Sequence, residues 1–234
     1  MPIFDTHAPF VINFHGIGDP PRAYEPGEES YWTDRVYFET ILDFVAQHPL
    51  GAGARLTFDD GNSSDYAIAA PELKRRGLGA RFFVLAGKFG QEGYLSRAEV
   101  RDLAAQGFEV GSHGLDHVAW TDASDAALVR EIKDSKAILE DITGCRVRSA
   151  AVPFGLYDRR VLRELGRHGY HSVFSSDGGP RLTAMVPTPR YSVQRNVALA
   201  SLASVIDTSS SFSRRARTEA RVRAKALVRR GKVP

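Results

Sequence analysis

Short apolar runs alternate with longer amphipathic segments along most of the chain. Between the helical segments lie six runs rich in Val and Phe, which predict buried strands: FVINF, ARLTF, ARFFVL, FEVG, RSAAV and HSVFS. The helical segment before Gly144 is the clearest, because Leu128, Ile132, Leu139 and Ile142 recur on one face. This alternation predicts a parallel sheet covered by helices, either a barrel or a doubly wound sheet.

Four of the helical segments end at a glycine that directly precedes a strand. We expect Gly77, Gly107, Gly144 and Gly169 to adopt the left-handed conformation that ends a helix. Ser124 is a suitable N-cap for the helix before Gly144. After the first strand, the segment GIGDPPRAYEPGEESYW predicts a long loop, and long loops in compact domains often carry function.

Length and composition place the chain among single globular domains. It has 234 residues, of which 43% are hydrophobic and 25% are charged, so a disordered chain or a coiled-coil rod is excluded. The single Cys145 excludes an intramolecular disulfide, and no apolar run approaches the length of a membrane span. Residues 1–14 lack the basic start of a secretory signal, so we expect a cytoplasmic protein.

The charge is distributed unevenly along the chain. Residues 214–234 contain nine Lys and Arg against the single acid Glu219, which makes this segment +8 and leaves residues 1–213 at −5. We expect a globular domain over residues 1–208 and a basic tail or helix over residues 209–234. The tail could contact an anionic membrane surface or pack on the acidic domain. No nucleic-acid partner is predicted.

Residues able to bind metal or move protons follow several predicted strands, where parallel β/α proteins carry their sites. Asp59 and Asp60 end the second strand, and His113 and His117 follow the fourth. Two histidines and one carboxylate form a catalytic zinc arrangement, and the second carboxylate could then act as general base on a water. Taken separately, Asp-Asp-Gly is often a solvated turn and a histidine pair often caps or packs.

Three motifs resemble those of the polysaccharide deacetylases, the NodB-homology group or carbohydrate esterase family 4. They are TFDDG at 57–61, SHGLDH at 112–117 and Pro153-Phe154-Gly155, within a resemblance covering about residues 10–200. The resemblance implies an α/β fold, a distorted (β/α)7 TIM-like barrel. It also implies metal-dependent removal of N-acetyl groups from an N-acetylated saccharide, the expected partner.

The same resemblance implies roles for individual residues. Asp59 matches the general base, and the Phe154 backbone N–H matches an oxyanion-hole donor. The metal ligands are Asp60, His113 and His117, and the metal is usually zinc, with cobalt, nickel or manganese in some members. Residues expected to line the saccharide site are Pro153, Trp120 and Asp177.

The chain departs from the family pattern in three motifs, and in the fourth motif only Asp177 represents the usual aspartate and tryptophan. Ala151 replaces the arginine that normally orients the base, and Arg195 replaces the histidine that normally serves as general acid. We expect Arg190 to supply the missing guanidinium beside Asp59, with Arg195 as the second candidate. His15 could act as a substitute acid, or it could only bond the loop that follows it.

Two other functions remain compatible with the sequence. A degenerate family member could bind glycan without turnover, although a free carboxylate beside a metal site argues against this. The two histidines and a carboxylate could also form a non-haem iron site. In the long loop, Tyr24, Tyr31 and Trp32 could stack on sugar rings or could pack the loop itself.

Overall fold

The fold is a ring of parallel strands, seen in a computed structural model that describes residues 10–47, 54–180, 187–207 and 211–227. Within these ranges eight strands form one sheet in the order β7-β6-β5-β4-β3-β2-β1-β8. The strands are β1 Phe10–Phe14, β2 Ala54–Phe58, β3 Ala80–Val84, β4 Glu109–Ser112, β5 Ser149–Ala151, β6 Ser172–Ser175, β7 Thr188–Pro189 and β8 Tyr191–Ser192. The six strands predicted from the sequence are β1 to β6, which confirms those predictions.

The two shortest strands close the barrel. Only Arg190 separates β7 from β8, so the pair forms one continuous segment. Its first half pairs with β6 through Thr188 opposite Phe174, and its second half pairs with β1 through Tyr191 opposite Ile12. This segment therefore acts as a seventh strand between β6 and β1, and the predicted (β/α)7 barrel is confirmed.

Helices connect and cover the strands. They are α1 Arg35–Gln47, α2 Ala70–Arg75, α3 Arg97–Ala105, α4 Asp125–Thr143, α5 Arg159–Arg167, α6 Leu199–Asp207 and α7 Phe212–Leu227. The Ser124 side chain caps α4 by accepting from the Ala127 amide, and the four predicted glycines all have positive φ. Among the described residues, no helix has both the length and the apolar character needed to cross a membrane.

Successive side chains along each strand point alternately to two buried regions, one under the helices and one inside the barrel. One side of each strand joins the helices in a large apolar core that includes Ile12, Phe58 and Phe82. The other side contributes a small cluster of apolar residues, Val11, Phe83, Ala151 and Phe174. Buried polar residues such as Asn13, Thr57 and Arg81 share this second side, so the barrel interior is partly polar.

The basic tail forms a helix that packs on the barrel. Along α7, Thr218, Glu219 and Val222 are buried, and the helix contacts α5. The predicted boundary at 208/209 and the tail beyond residue 227 lie outside the described residues.

Candidate active site

Three side chains that could hold a metal ion meet at the carboxyl ends of β2 and β4. Asp60 follows β2, while His113 and His117 occupy the loop after β4. Asp60 and His117 have φ values of 74° and 55°, so both adopt the left-handed backbone conformation, which is uncommon for residues other than glycine. Gly61 cannot be replaced easily, because a Cβ there would lie 2.8 Å from a Val84 methyl group.

The geometry of these three side chains fits a divalent cation. Nε2 of His113 lies 3.4 Å and Nε2 of His117 lies 3.5 Å from Oδ1 of Asp60. Zinc bonds of about 2.0–2.2 Å in a tetrahedral site separate neighbouring ligand atoms by about 3.3 Å, which is close to these distances. Oδ1 of Asp60 is buried and accepts no hydrogen bond from the described residues, as a ligand atom reserved for a cation would.

The second nitrogen of each imidazole is held by the protein. Nδ1 of His113 lies 2.9 Å from the Ala151 carbonyl oxygen, and Nδ1 of His117 lies 3.0 Å from a Glu25 carboxylate oxygen. Both contacts require a proton on Nδ1, so the Nε2 lone pairs are free to bind a metal. Glu25 comes from the long loop and also accepts a 2.8 Å hydrogen bond from the Tyr94 hydroxyl.

Asp59 is held in a buried network beside this set. Nη1 and Nη2 of Arg190 donate to Oδ1 and Oδ2 of Asp59 at 2.6 and 2.7 Å, an end-on bidentate pair. Asn13 donates a further bond of 3.1 Å to Oδ2, and its own oxygen accepts from Arg190 at 2.8 Å. The structure therefore places the Arg190 guanidinium directly on Asp59, where the sequence predicted a substitute for the missing arginine.

This network sets the charge of Asp59. Burial raises the pKa of the carboxyl, but the Arg190 charge and His113 outweigh that effect, so the pKa lies below its ordinary value. A carboxylate that stays ionised can accept a proton, as a general base must.

Phe154 projects from the turn after β5 towards the metal-binding residues. Its ring is 55% exposed and stacks on His117 with the centroids 4.4 Å apart. Its backbone has a φ of 57°, an unusual conformation for a bulky residue and one that recurs at functional sites. The turn therefore places the Phe154 ring beside the candidate site.

His15 and Arg195 take different positions. Nε2 of His15 lies 4.0 Å from Oδ2 of Asp59, and its ring contacts Tyr31. Burial lowers the pKa of His15 more than Asp60 and Asp59 raise it. Arg195 instead donates to the Tyr24 hydroxyl at 2.8 Å and to a backbone carbonyl at 3.1 Å, so it secures the long loop.

The residues predicted to line the saccharide site are mostly buried. Trp120 is fully buried in the core, so it has no exposed face for a sugar and does not line the saccharide site as expected from the sequence. Pro153 is buried as well. The Asp177 side chain is only 7% exposed and bonds Tyr157 and Lys225, which leaves it little freedom to meet substrate.

Two residues of the site were not predicted from the sequence. Asn13 is the one polar residue in the strand FVINF, and this break in an apolar run was the available signal. Glu25 had no comparable signal, because acidic residues are common in loops. In the same loop Trp32 is fully buried, whereas Tyr24 and Tyr31 are half-buried.

Comparison with known proteins places this site in a family. Residues 51–173, just over half of the chain, match the family model described as polysaccharide deacetylase. The chain is 33% identical to the peptidoglycan-N-acetylglucosamine deacetylase PgdA of Listeria monocytogenes over 112 residues. This alignment covers 47% of this chain and 23% of PgdA. It is 25% identical over 156 residues to the poly-β-1,6-N-acetyl-D-glucosamine N-deacetylase of Staphylococcus aureus, covering 59% of this chain and 54% of that protein.

A solved structure supports the fold. The Streptococcus pyogenes deacetylase PplD in complex with acetate superposes with a TM-score of 0.69 at 20% identity, covering 84% of this chain and 97% of that one. The chain thus spans less than two thirds of the two curated relatives but nearly all of this structure. With the family's Asp-Asp and His-His motifs gathered at one end of its barrel, the chain belongs to the polysaccharide deacetylase family.

Proposed function

We propose that the protein is a metal-dependent hydrolase that removes N-acetyl groups from an N-acetylated saccharide. The observation that carries this proposal is the buried, ionised Asp59 beside the Asp60, His113 and His117 set. Both curated relatives are named for deacetylation of N-acetylglucosamine units, so we propose a polymer or precursor containing that sugar as substrate.

The residues that would hold the metal are Asp60, His113 and His117. Two imidazoles and a carboxylate suit zinc, with cobalt, nickel or manganese as alternatives. When bound, such a cation would polarise the acetyl carbonyl and lower the pKa of a water ligand. Three protein ligands leave a position open for water or substrate, as catalytic rather than structural sites do.

The surrounding residues carry out the proton transfers. Asp59 accepts a proton from the attacking water, and the Arg190 and Asn13 contacts keep its oxygens oriented for this step. The Phe154 backbone N–H stabilises the negative charge that develops on the acetyl oxygen. His15, whose Nε2 lies 4.0 Å from Oδ2 of Asp59, takes up the proton that Asp59 removes from the water and passes it to the departing amine, which leaves as the free amino sugar while acetate is released.

The proposal is tested by measuring acetate release from a panel of N-acetylated glycans with and without a chelator. Asp59→Asn should retain metal but lose turnover, since it removes the base and keeps the ligands. His113→Ala and Asp60→Ala should lose metal and activity together. Asp116→Asn is the matched control, because Asp116 lies in the same loop as the histidines but its side chain is 46% exposed and pairs with Arg130.

Two outcomes would contradict the proposed function. Near wild-type hydrolysis by purified Asp59→Asn would exclude Asp59 as the base. Tight glycan binding without acetate release by the metal-loaded wild type would instead favour a glycan-binding protein that has lost turnover.

A further inference from the structure

The helix α7 lies outside residues 51–173, the part of the chain that matches the family, yet it contacts the rim of the candidate site. Nζ of Lys225 donates to the Gly155 carbonyl oxygen at 2.7 Å and to Oδ1 of Asp177 at 2.7 Å. The same ammonium lies 4.6 Å from the centre of the Tyr157 ring. The Lys225 ammonium thus contacts groups from two loops, the one after β5 and the one after β6.

One of these loops carries Phe154. Phe154 and Gly155 both have positive φ, at 57° and 63°. Within the turn, the Gly155 amide donates to the Val152 carbonyl at 3.0 Å, and the Leu156 amide donates to the Pro153 carbonyl at 3.1 Å. A left-handed conformation of a phenylalanine persists only where its surroundings hold it. The bond from Lys225 to the Gly155 carbonyl supplies such a restraint from outside the turn.

Asp177, in the loop after β6, holds Lys225 in place for this contact. Asp177 accepts bonds from Ser175 at 2.6 Å and from the Tyr157 hydroxyl at 2.7 Å, in addition to its ion pair with Lys225. Burial raises the pKa of Asp177, but Lys225, Ser175 and Tyr157 hold it below its ordinary value, so the carboxylate stays charged. Lys225 is itself only 26% exposed, which strengthens the pair relative to one in water.

The rest of α7 is fitted to the same loop. Arg221 donates to the Gly178 carbonyl at 2.9 Å, and Val222 is fully buried. Thr218 packs so closely that a Cβ on Gly179 would lie 2.5 Å from its hydroxyl oxygen. The helix is therefore seated in a defined register that brings Lys225 to Gly155.

We propose that Lys225 is a positioning residue for the reaction, acting by holding the Phe154 turn in the conformation that presents its backbone N–H to the acetyl oxygen. The inference rests on the proposed function, because it assigns Lys225 to the oxyanion-binding part of that site. The proposal also makes α7 a functional part of the catalytic domain.

The test compares Lys225→Met with Lys225→Arg and with Arg217→Met in the full chain. Arg217→Met is the matched control, because Arg217 lies on the same helix but is exposed. Amide hydrogen exchange of residues 154–157 is measured first on the chelator-treated protein, with α3 as the internal reference. Acetate release from an N-acetylglucosamine oligomer then gives kcat and KM, and metal content is measured in parallel.

For Lys225→Met we expect exchange at residues 154–157 to rise at least tenfold and kcat to fall at least tenfold. KM and metal content should stay unchanged, because oxyanion stabilisation acts in the transition state. Lys225→Arg should restore part of both losses, and Arg217→Met should change neither.

Three results would overturn the proposal. Exchange at wild-type rates in folded Lys225→Met would show that the turn does not depend on the lysine. Faster exchange with an unchanged kcat would make Lys225 purely structural. If Lys225→Met does not fold, Asp177→Asn removes the ion pair that holds Lys225 in place, and unchanged exchange and kcat there would also refute the proposal. A wild type that releases no acetate would refute the proposed function. The hydrogen-exchange data would still show whether Lys225 restrains the Phe154 turn.

Discussion

At the scale of single residues, the Asp59–Arg190 pair joins distant parts of the chain inside the barrel. Both side chains are almost completely buried, with 3% and 0% exposure, and both carboxylate oxygens are engaged. Two parallel bonds orient a carboxylate more firmly than a point charge can. The pair therefore keeps Asp59 ionised and fixes the orientation of its carboxylate.

Replacing Arg190 should affect turnover more than metal binding. We expect Arg190→Ala to lower kcat at least tenfold with unchanged metal content, and to cost about 3–5 kcal/mol of stability because Asp59 loses its buried partner. Arg190→Lys should recover only part of the rate, since an ammonium cannot bond both oxygens in the same way. Arg81→Lys is the control, as Arg81 is a buried barrel arginine paired with Glu109. Equal kcat for Arg190→Lys and wild type would contradict the bidentate role.

Glu25 should strengthen metal binding without touching the metal. It fixes the Nδ1 proton of His117 and the direction of the imidazole, and loss of such a partner typically weakens metal affinity by about 10–100-fold. We expect a loss of this size for zinc binding to Glu25→Ala, measured by titration against a competing chelator. Glu29→Ala, an exposed carboxylate of the same loop, should bind zinc like the wild type. Matching affinities for the two variants would remove Glu25 from the metal site.

At the scale of elements, the long loop and the turn after β2 are built around the candidate site. In the loop, Arg22 bonds Glu28 through two nitrogens at 2.8 and 2.6 Å and also reaches Asn62 at 3.0 Å. These contacts hold the loop over the β2 turn and so position Glu25 against His117. In the π-helical turn after β2, Asp65 is fully buried, and its oxygens accept no hydrogen bond within the described part of the chain.

Asp65 should make the protein less stable as pH rises. Burial, with smaller contributions from Asp60 and Asp59, raises the pKa of Asp65 well above its ordinary 3.8. Between the ordinary and the raised pKa the unfolded chain loses this proton and the folded chain keeps it, so the free energy of unfolding falls with increasing pH. We expect Asp65→Asn to remove that slope and to gain stability over wild type between pH 4.5 and 8.

Urea unfolding of chelator-treated protein at those two pH values measures this effect. Asp134→Asn, which alters an exposed carboxylate on α4, should follow the wild type at both. Identical pH dependences for wild type and Asp65→Asn would show that Asp65 is ionised in the folded state.

At the scale of the whole molecule, some cations of α7 contact the barrel and others are left exposed. Lys225 and Arg221 contact the barrel loops, while Arg214 and Arg217 are exposed. Phe212 and Leu227, at the two ends of the helix, are 71% and 67% exposed. Packing on the domain therefore leaves Arg214 and Arg217 of α7 exposed, with an exposed apolar residue at each end of the helix, a pattern suited to an anionic membrane surface.

The exposed helix face that carries Arg214 and Arg217 predicts binding to anionic vesicles. Each arginine near such a surface contributes about 1 kcal/mol, so Arg214→Gln with Arg217→Gln should lower the partition coefficient roughly thirty-fold. Co-sedimentation with phosphatidylserine-containing vesicles measures this, with neutral vesicles as reference. The matched control removes two exposed cations elsewhere, by Arg97→Gln with Lys133→Gln. Unchanged sedimentation of the α7 double variant would exclude a membrane role for this face.

Local sequence patterns determined most of the fold and the ligand set. Strands β1 to β6 and the end of α4 at Gly144 follow from apolar runs and backbone preferences, which act over a few residues. Asp60, His113 and His117 were recognisable because the motifs that carry them are contiguous in sequence. Arg190 could be anticipated only as a replacement, because the family's arginine position holds Ala151.

Tertiary structure decided the partners of these residues. Arg190 reaches Asp59 across 131 positions of the chain because the barrel closes between β6 and β1, and the same closure brings Asn13 to both. Glu25 meets His117 through the path of a loop, and Trp120 is buried by packing that its sequence neighbours do not specify. The seating of Lys225 on Gly155 depends likewise on how α7 packs. Such contacts join segments far apart in sequence, so no local pattern encodes them.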